Sequence, residues 1–296
     1  MNQNVMNLSQ SNQEIINLIN SNKPFSIIRF GWGPETILCH RYYINNNNIK
    51  NVNNLNNILR ICGIYSKNND MSIFEKYFEE LNNSVSTSDI LVSFENSDID
   101  NIQNYYSEMY KLKQIKLDSL EPYNMLYNNE INEKPWTHLL FGKKVLIINP
   151  FTNSIKKQLH NNFQLFKDKK IFLDDQEFIF YKTFQTHGNN YIHENWLETF
   201  EIMCNDIEKL DFDIALLGCG GYGIPLCNFI KTKMNKSAIY VGGALQILFG
   251  VMGNRWINGN GTVLKKILEE HKPNFIHPSG DELLPNRKTV EGGCYW

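Results

Sequence analysis

The stretch Asp211-Phe-Asp-Ile-Ala-Leu-Leu-Gly-Cys-Gly-Gly-Tyr-Gly223 restricts the fold of this chain more than any other. An apolar run, Ile214–Leu217, ends in glycines at 218, 220, 221 and 223. Residues 224–231 then repeat apolar side chains at helical spacing, with Pro225 in a first turn where its missing N–H costs nothing. The order is buried strand, glycine turn, helix N-terminus. Backbone N–H groups at such a turn, helped by the helix dipole, favour an anion, most often a phosphate. The rival reading is a tight turn with no ligand.

The same unit recurs. Residues 25–30 form a β-rich run that passes into Arg29-Phe-Gly-Trp-Gly-Pro-Glu35, with a helix from Pro34. Residues 145–148 are continuous and β-branched, as in a parallel central strand, and lead through Asn149-Pro-Phe to Ser154. Residues 238–241 end in Gly242-Gly-Ala-Leu-Gln246, and their helix is expected to reach Met252. Further helices are expected over 11–20, 55–61, 72–81, 99–113 and 194–210, and strands over 88–94 and Phe178–Lys182. The alternation predicts an α/β fold, a Rossmann-like, mostly parallel sheet with helices on both faces. Ligands would lie at the carboxyl ends of the strands. We read residues 1–296 as a single domain, with 1–24 a partly loose N-terminal segment and 143–296 the nucleotide-binding half.

Composition removes several classes. A net charge of -2 gives no basic excess for nucleic acid. Six cysteines contain no CxxC pair and read as free thiols. The first twenty residues show no signal-peptide pattern, and no apolar run approaches the ~20 residues of a membrane span. The expectation is a soluble protein of the cytoplasm, the host's cytoplasm if the gene is viral. Homo-oligomerisation is left open.

Gly218-x-Gly-x-x-Gly223 also matches the dinucleotide fingerprint. That mechanism needs an acidic residue at the end of the next strand to hold the ribose. Here that strand ends Tyr240-Val-Gly-Gly-Ala, without a carboxylate. The same gap argues against a methyltransferase. Two neighbouring glycine-ended strands facing a pyrophosphate and a sugar fit better.

Taken together, Ile28-Arg-Phe-Gly-Trp-Gly-Pro-Glu35, Val145-Leu-Ile-Ile-Asn-Pro-Phe151, Leu217-Gly-Cys-Gly-Gly-Tyr-Gly-Ile-Pro-Leu226, Gly242-Gly-Ala-Leu-Gln-Ile-Leu-Phe-Gly250, Asn254-Arg-Trp256 and Glu291-Gly-Gly-Cys-Tyr-Trp296 resemble the GT-D type glycosyltransferases of bacterial and giant-virus polysaccharide gene sets. The resemblance implies a nucleotide-sugar donor, most often UDP-linked, a glycan or glycoconjugate acceptor, and help from a divalent cation, Mn2+ or Mg2+. The family's first glycine turn carries Asp-x-Glu. Here Trp32 stands where the Asp is expected and Glu35 lies one residue late, so no metal ligand is assigned.

Glycosyl transfer needs charge stabilisation on the leaving diphosphate, a base for the acceptor hydroxyl if the anomeric centre inverts, and alignment of the two sugars. Glu35 is the first catalytic candidate, against a rival role of complementing its helix dipole. Glu291, in a Gly-rich tail able to fold over the site, is the second. The donor-site candidates are Arg29, Gly31, Ser154, Gly218, Gly220, Gly221, Tyr222, Gly223, Gly242, Gly243, Gln246 and Arg255. Arg29 should pair with Glu35, another carboxylate or a phosphate. Ser154 binds phosphate or caps its own helix; Tyr222 stacks on a base or sugar or is surface. Gln246 holds a hydroxyl, and Arg255 clamps phosphate or packs on an aromatic ring. The alternatives in function are a pyruvyl-type or other polysaccharide-modifying transferase, and a non-catalytic nucleotide-binding subunit of a glycan-assembly complex.

Overall fold

A computed structural model of the chain describes residues 5–31, 33–45, 52–93, 97–127, 131, 133–161, 169–257, 262–271 and 274–296. Trp32, residues 46–48 of the Asn run, and Glu95 and Asn96 lie outside the described residues. The strands are β1 (Ser26–Arg29), β2 (Ile90–Ser93), β3 (Lys113–Lys116), β4 (Val145–Asn149), β5 (Phe178–Lys182), β6 (Ile214–Leu217) and β7 (Ser237–Tyr240). They form one sheet in the order β3-β2-β1-β7-β6-β4-β5, and every pairing is parallel.

The α-helices are α1 (Leu8–Asn20), α2 (Pro34–Ile44), α3 (Val52–Leu59), α4 (Met71–Thr87), α5 (Ser97–Tyr110), α6 (Tyr123–Tyr127), α7 (Thr152–His160), α8 (Trp196–Ile207), α9 (Gly223–Thr232), α10 (Ala244–Leu248) and α11 (Thr262–His271). Strand side chains alternate between two cores, as the pleat requires. Ile28, Leu91, Leu146, Ala215 and Ala238 pack under α2, α3, α4, α5, α8 and α9. Ile27, Ile90, Ile147, Leu216 and Ile239 pack under α1, α6, α7, α10 and α11. The chain therefore folds as an α/β Rossmann-like sheet covered on both faces, as its sequence pattern predicts.

Two element bounds need correction, while the helix expected over 11–20 is present as α1, which starts at Leu8 within the N-terminal segment read as partly loose. Asn7 accepts from the Gln10 N–H at 2.9 Å while Gln10 accepts from the Asn7 N–H at 3.1 Å, a reciprocal cap. Ile15 and Ile19 on that helix are buried in the second core. The helix expected over 99–113 ends at Tyr110, and strand β3, which the sequence did not signal, starts at Lys113. Its Lys-Gln-Ile-Lys sequence has one apolar residue, so at the sheet edge it carries little strand signal. Helix α10 stops at Leu248, because Val251 turns to bridge Ile276 in parallel.

Candidate active site

The sheet order opens a crevice. The helices after β1 and β6 lie on one face, and those after β7 and β4 on the other. Along β1-β7-β6-β4 the outgoing loops thus diverge to alternate sides, the arrangement in which open α/β sheets bind ligands. A cavity of about 110 Å³ lies there, between the loops after β1, β4, β5, β6 and β7 and the segment from Glu291 to Trp296. Arg29, Gly31, Glu35, Gly218, Gly220, Gly221, Gly242, Gly243, Gln246, Arg255 and Glu291 all line it.

The glycines do more than bend the chain. Gly218 and Gly242 spend their N–H groups on the sheet, donating to Ile148 O and Leu217 O at 2.9 Å each. These two amides are not bare. What each glycine leaves is room for a site side chain. A Cβ on Gly242 would lie 2.8 Å from Arg29 Nη1, and one on Gly243 2.6 Å from the Tyr295 ring. A Cβ on Gly220 would lie 2.5 Å from His187 Nε2, and Gly220 also holds φ at +58°, where glycine is favoured. At Gly31 or Gly33 a Cβ would collide with the Glu35 carboxylate.

Glu35 consequently curls back over the turn that starts its own helix. It is 9 % exposed, and Cys62 Sγ donates to its Oε2 at 2.8 Å. Burial raises its pKa above the ordinary value. Arg29 donates from Nη1 to Val241 O at 3.2 Å, so the partner expected to be a carboxylate or phosphate includes a backbone carbonyl. Desolvation lowers its pKa, while the charges of Tyr240, Tyr295 and Glu121 act the other way. Arg255 is ion-paired with Glu291 and lies 4.7 Å from the Tyr295 ring centre and 5.9 Å from that of Trp256. Glu291 itself has φ 46°, a left-handed conformation held by the Arg255 pair and by Cys294 Sγ at 3.2 Å. Gln246 is tied down: its Nε2 donates to Val251 O at 3.2 Å and Tyr295 O at 3.1 Å.

Three candidates do not reach the cavity. Ser154 is buried, and its N–H donates to Glu282 Oε1 at 3.1 Å while its hydroxyl donates to Oε2. The Asn153 N–H joins at 2.8 Å, so a protein carboxylate occupies the α7 N-terminus, where a phosphate was one expectation. Tyr222 is 0 % exposed, stacked on Trp196, with its hydroxyl 2.9 Å from Thr186 Oγ1. It is neither a stacking platform nor surface. Gly223 serves packing, since a Cβ there would strike the Tyr240 ring.

The structure also adds residues that no motif marked: Cys62, Thr183, Gln185 and His187 line the cavity, as does Tyr295 from the C-terminal motif, which was not among the site candidates. Burial depresses the His187 pKa to about 4, so its imidazole is neutral near pH 7. For Thr183, Gln185 and His187 the local signal was the five-residue β5 run pointing at the crevice; its first glycine, Gly188, comes six residues after the strand, too late to form a strand–glycine–helix unit.

A divalent cation requires several oxygen ligands. Among the described residues no group of three or more His, Cys, Asp or Glu is placed to hold one. Glu35, protonation-prone and engaged by Cys62, is a poor ligand as it stands. Among the described residues, therefore, the carboxylates, histidines and cysteines of the cavity do not by themselves make a metal site. Among the described residues no helix is long and apolar enough to cross a membrane. All six cysteines are free and buried.

Compared with protein families, residues 6–248 match the GT-D-like family, described as a GT-D fold-like domain. No curated protein and no solved structure matches the chain.

Proposed function

Because this chain belongs to the GT-D-like family, whose fold is glycosyltransferase-related, we propose that it transfers a sugar from a nucleotide-sugar donor, UDP-linked, to a hydroxyl of a glycan acceptor. The observation that carries the reading is the meeting of two arginines and two carboxylates in one crevice at the switch point of the sheet. Arg29 and Arg255 supply positive charge where the diphosphate leaves. Their neighbours Tyr240 and Tyr295 exclude water, and low local polarity strengthens the attraction.

The two carboxylates have different environments, and that separates their roles. Glu291 is ion-paired, with 43 % of its side chain exposed. It holds Arg255. Glu35 is buried, and its raised pKa makes it the better proton acceptor near neutral pH. In the reaction the acceptor oxygen bonds to the anomeric carbon. The bond from that carbon to the diphosphate oxygen breaks, the diphosphate departs with the electron pair, and Glu35 takes the hydroxyl proton.

Glu35→Gln tests this. The variant should lose transfer by about 100-fold or more, the scale of a positioned general base, while retaining calorimetric affinity for UDP. Transfer at the parent rate would remove Glu35 from the chemistry. The parent's rate should rise with pH as the Glu35 carboxyl ionises, because only the carboxylate accepts a proton.

A further inference from the structure

The segment that follows β5 has no role in the reading above, yet it forms one wall of the cavity. Strand pairing carries β5 alongside β4 as far as Asn149 and Lys182, and the Thr183 N–H still donates to Asn149 O at 3.3 Å. The chain is thus still extended as it reaches the cavity. Thr183 and Gln185 follow at a spacing of two, the period that places side chains on one side of an extended chain; the chain then turns at Thr186 (φ -99°, ψ 8°), and His187 opens a 3-10 turn beside them. All three line the cavity. Thr186, between them, turns the other way and bonds Gly63 O at 2.8 Å and the Tyr222 hydroxyl in the core.

Each of the three has a buried polar atom with no hydrogen-bond partner among the described residues: Thr183 Oγ1, Gln185 Oε1 and His187 Nδ1. Thr183 and Gln185 are only 4 % and 7 % exposed. The orientation of the Gln185 amide is decided by its other end. Nε2 donates to the Glu282 carbonyl at 3.0 Å, which can only accept, so the oxygen is the atom left over. Buried polar atoms without partners are costly and uncommon, and three on alternate residues of one cavity wall require an explanation. None of the three carries charge, since His187 is neutral near pH 7. An anionic group would leave the Gln185 oxygen poorly matched, since both only accept. A hydroxyl, which both donates and accepts, satisfies a threonine oxygen, an amide oxygen and an imidazole nitrogen alike. Phe184 also lines the cavity, adding an apolar surface beside them.

We propose that Thr183, Gln185 and His187 form the glycosyl subsite, a wall that hydrogen-bonds the hydroxyls of an uncharged sugar ring of the donor. The proposal rests on the donor reading above and adds to it the place and class of the sugar.

Thr183→Val is the sharpest variant, being isosteric and removing only the unpartnered hydroxyl. It should fold at least as stably as the parent, since a buried orphan hydroxyl is lost without loss of volume. Calorimetry would compare UDP with UDP-glucose, UDP-galactose and UDP-glucuronate, on the parent, Thr183→Val and Gln185→Met. The expected result is that the parent binds a neutral UDP-sugar more tightly than UDP. Each variant should lose about tenfold of that affinity, the scale of one hydrogen bond, with affinity for UDP unchanged. Equal affinity of both variants and the parent for the neutral UDP-sugars would overturn the subsite while leaving the donor reading intact, as would tighter binding of the glucuronate. If the parent bound no UDP compound, the donor reading would fail and the donor-sugar assignment with it. Free glucose and galactose, followed by saturation-transfer NMR, would then decide whether the wall still recognises hydroxyls: loss of their signal in Thr183→Val would keep that part, and no signal in the parent would end it.

Discussion

The turns after β1 and β4 differ from those after β6 and β7 in the charge that faces them. In the first pair a carboxylate of the protein sits on the turn. Glu35 folds over Gly31 and Gly33, and Glu282 accepts from Asn153 and Ser154 at the start of α7. In the second pair the nearest side chains are cationic or neutral: His187 over Gly220, Arg29 against Gly242, Tyr295 against Gly243. All four turns follow strands of one parallel sheet, so their backbone geometry invites an anion in each case. Two of them are already satisfied from within. The lesson is that a helix N-terminus in this fold marks a place for negative charge, but not whose charge it is. In the reaction proposed above, the β6 and β7 side takes the substrate diphosphate and the β1 side supplies the proton acceptor.

The contrast can be broken in three places. The largest effect is expected from Gly220→Val. It forces a β-branched side chain into φ +58° and into the space of His187, and displacement of site groups by about 1 Å can cost about 100-fold in rate. Transfer assays should show that loss. Wild-type rates would mean that the β6 turn does not shape the site. Next is Glu282→Gln, which keeps the shape and removes the charge that three donors share. Chemical denaturation should give a loss of about 1–3 kcal/mol, with little change in UDP affinity. A variant that bound UDP much more tightly would reveal that α7 competes for the same anion.

The smallest effect concerns Glu121, a buried carboxylate whose charge acts on Arg29. Burial pushes its pKa from 4.5 up to about 7. The folded state therefore holds this proton more tightly than the unfolded chain. Its contribution is fully present below pH 4.5 and is lost as pH rises to about 7. Glu121→Gln lacks this loss. Its melting temperature relative to the parent should climb between pH 4.5 and 7 and then level off. A flat difference across that window would show that the carboxyl titrates normally.

Much of the site was legible because local chemistry wrote it. An apolar strand ending in glycine before a helix needs few long-range contacts to be recognised, and Glu35, Arg29 and the Gly218 and Gly242 turns lie within such units. Ser154, Tyr222 and Gly223 share that local sequence but not that destination. One side chain meets Glu282 from 128 positions away, one enters the core beside Trp196, and one glycine yields to Tyr240. Thr183, Gln185 and His187 were silent for the opposite reason. Their polar types are common in loops, and nothing near them in sequence reveals that their partners are missing.

Chain order and residue type settled the α/β class, the strand–turn–helix units and the edge at which a ligand would bind, since periodicity and glycine placement act over a few residues. Packing alone settled which turns were filled by the protein's own carboxylates, where the C-terminal residues from Glu291 to Trp296 lay, and which polar atoms were left without partners. Those outcomes depend on contacts between residues far apart in sequence. Burial then fixes the cost of each charge and each unmade hydrogen bond.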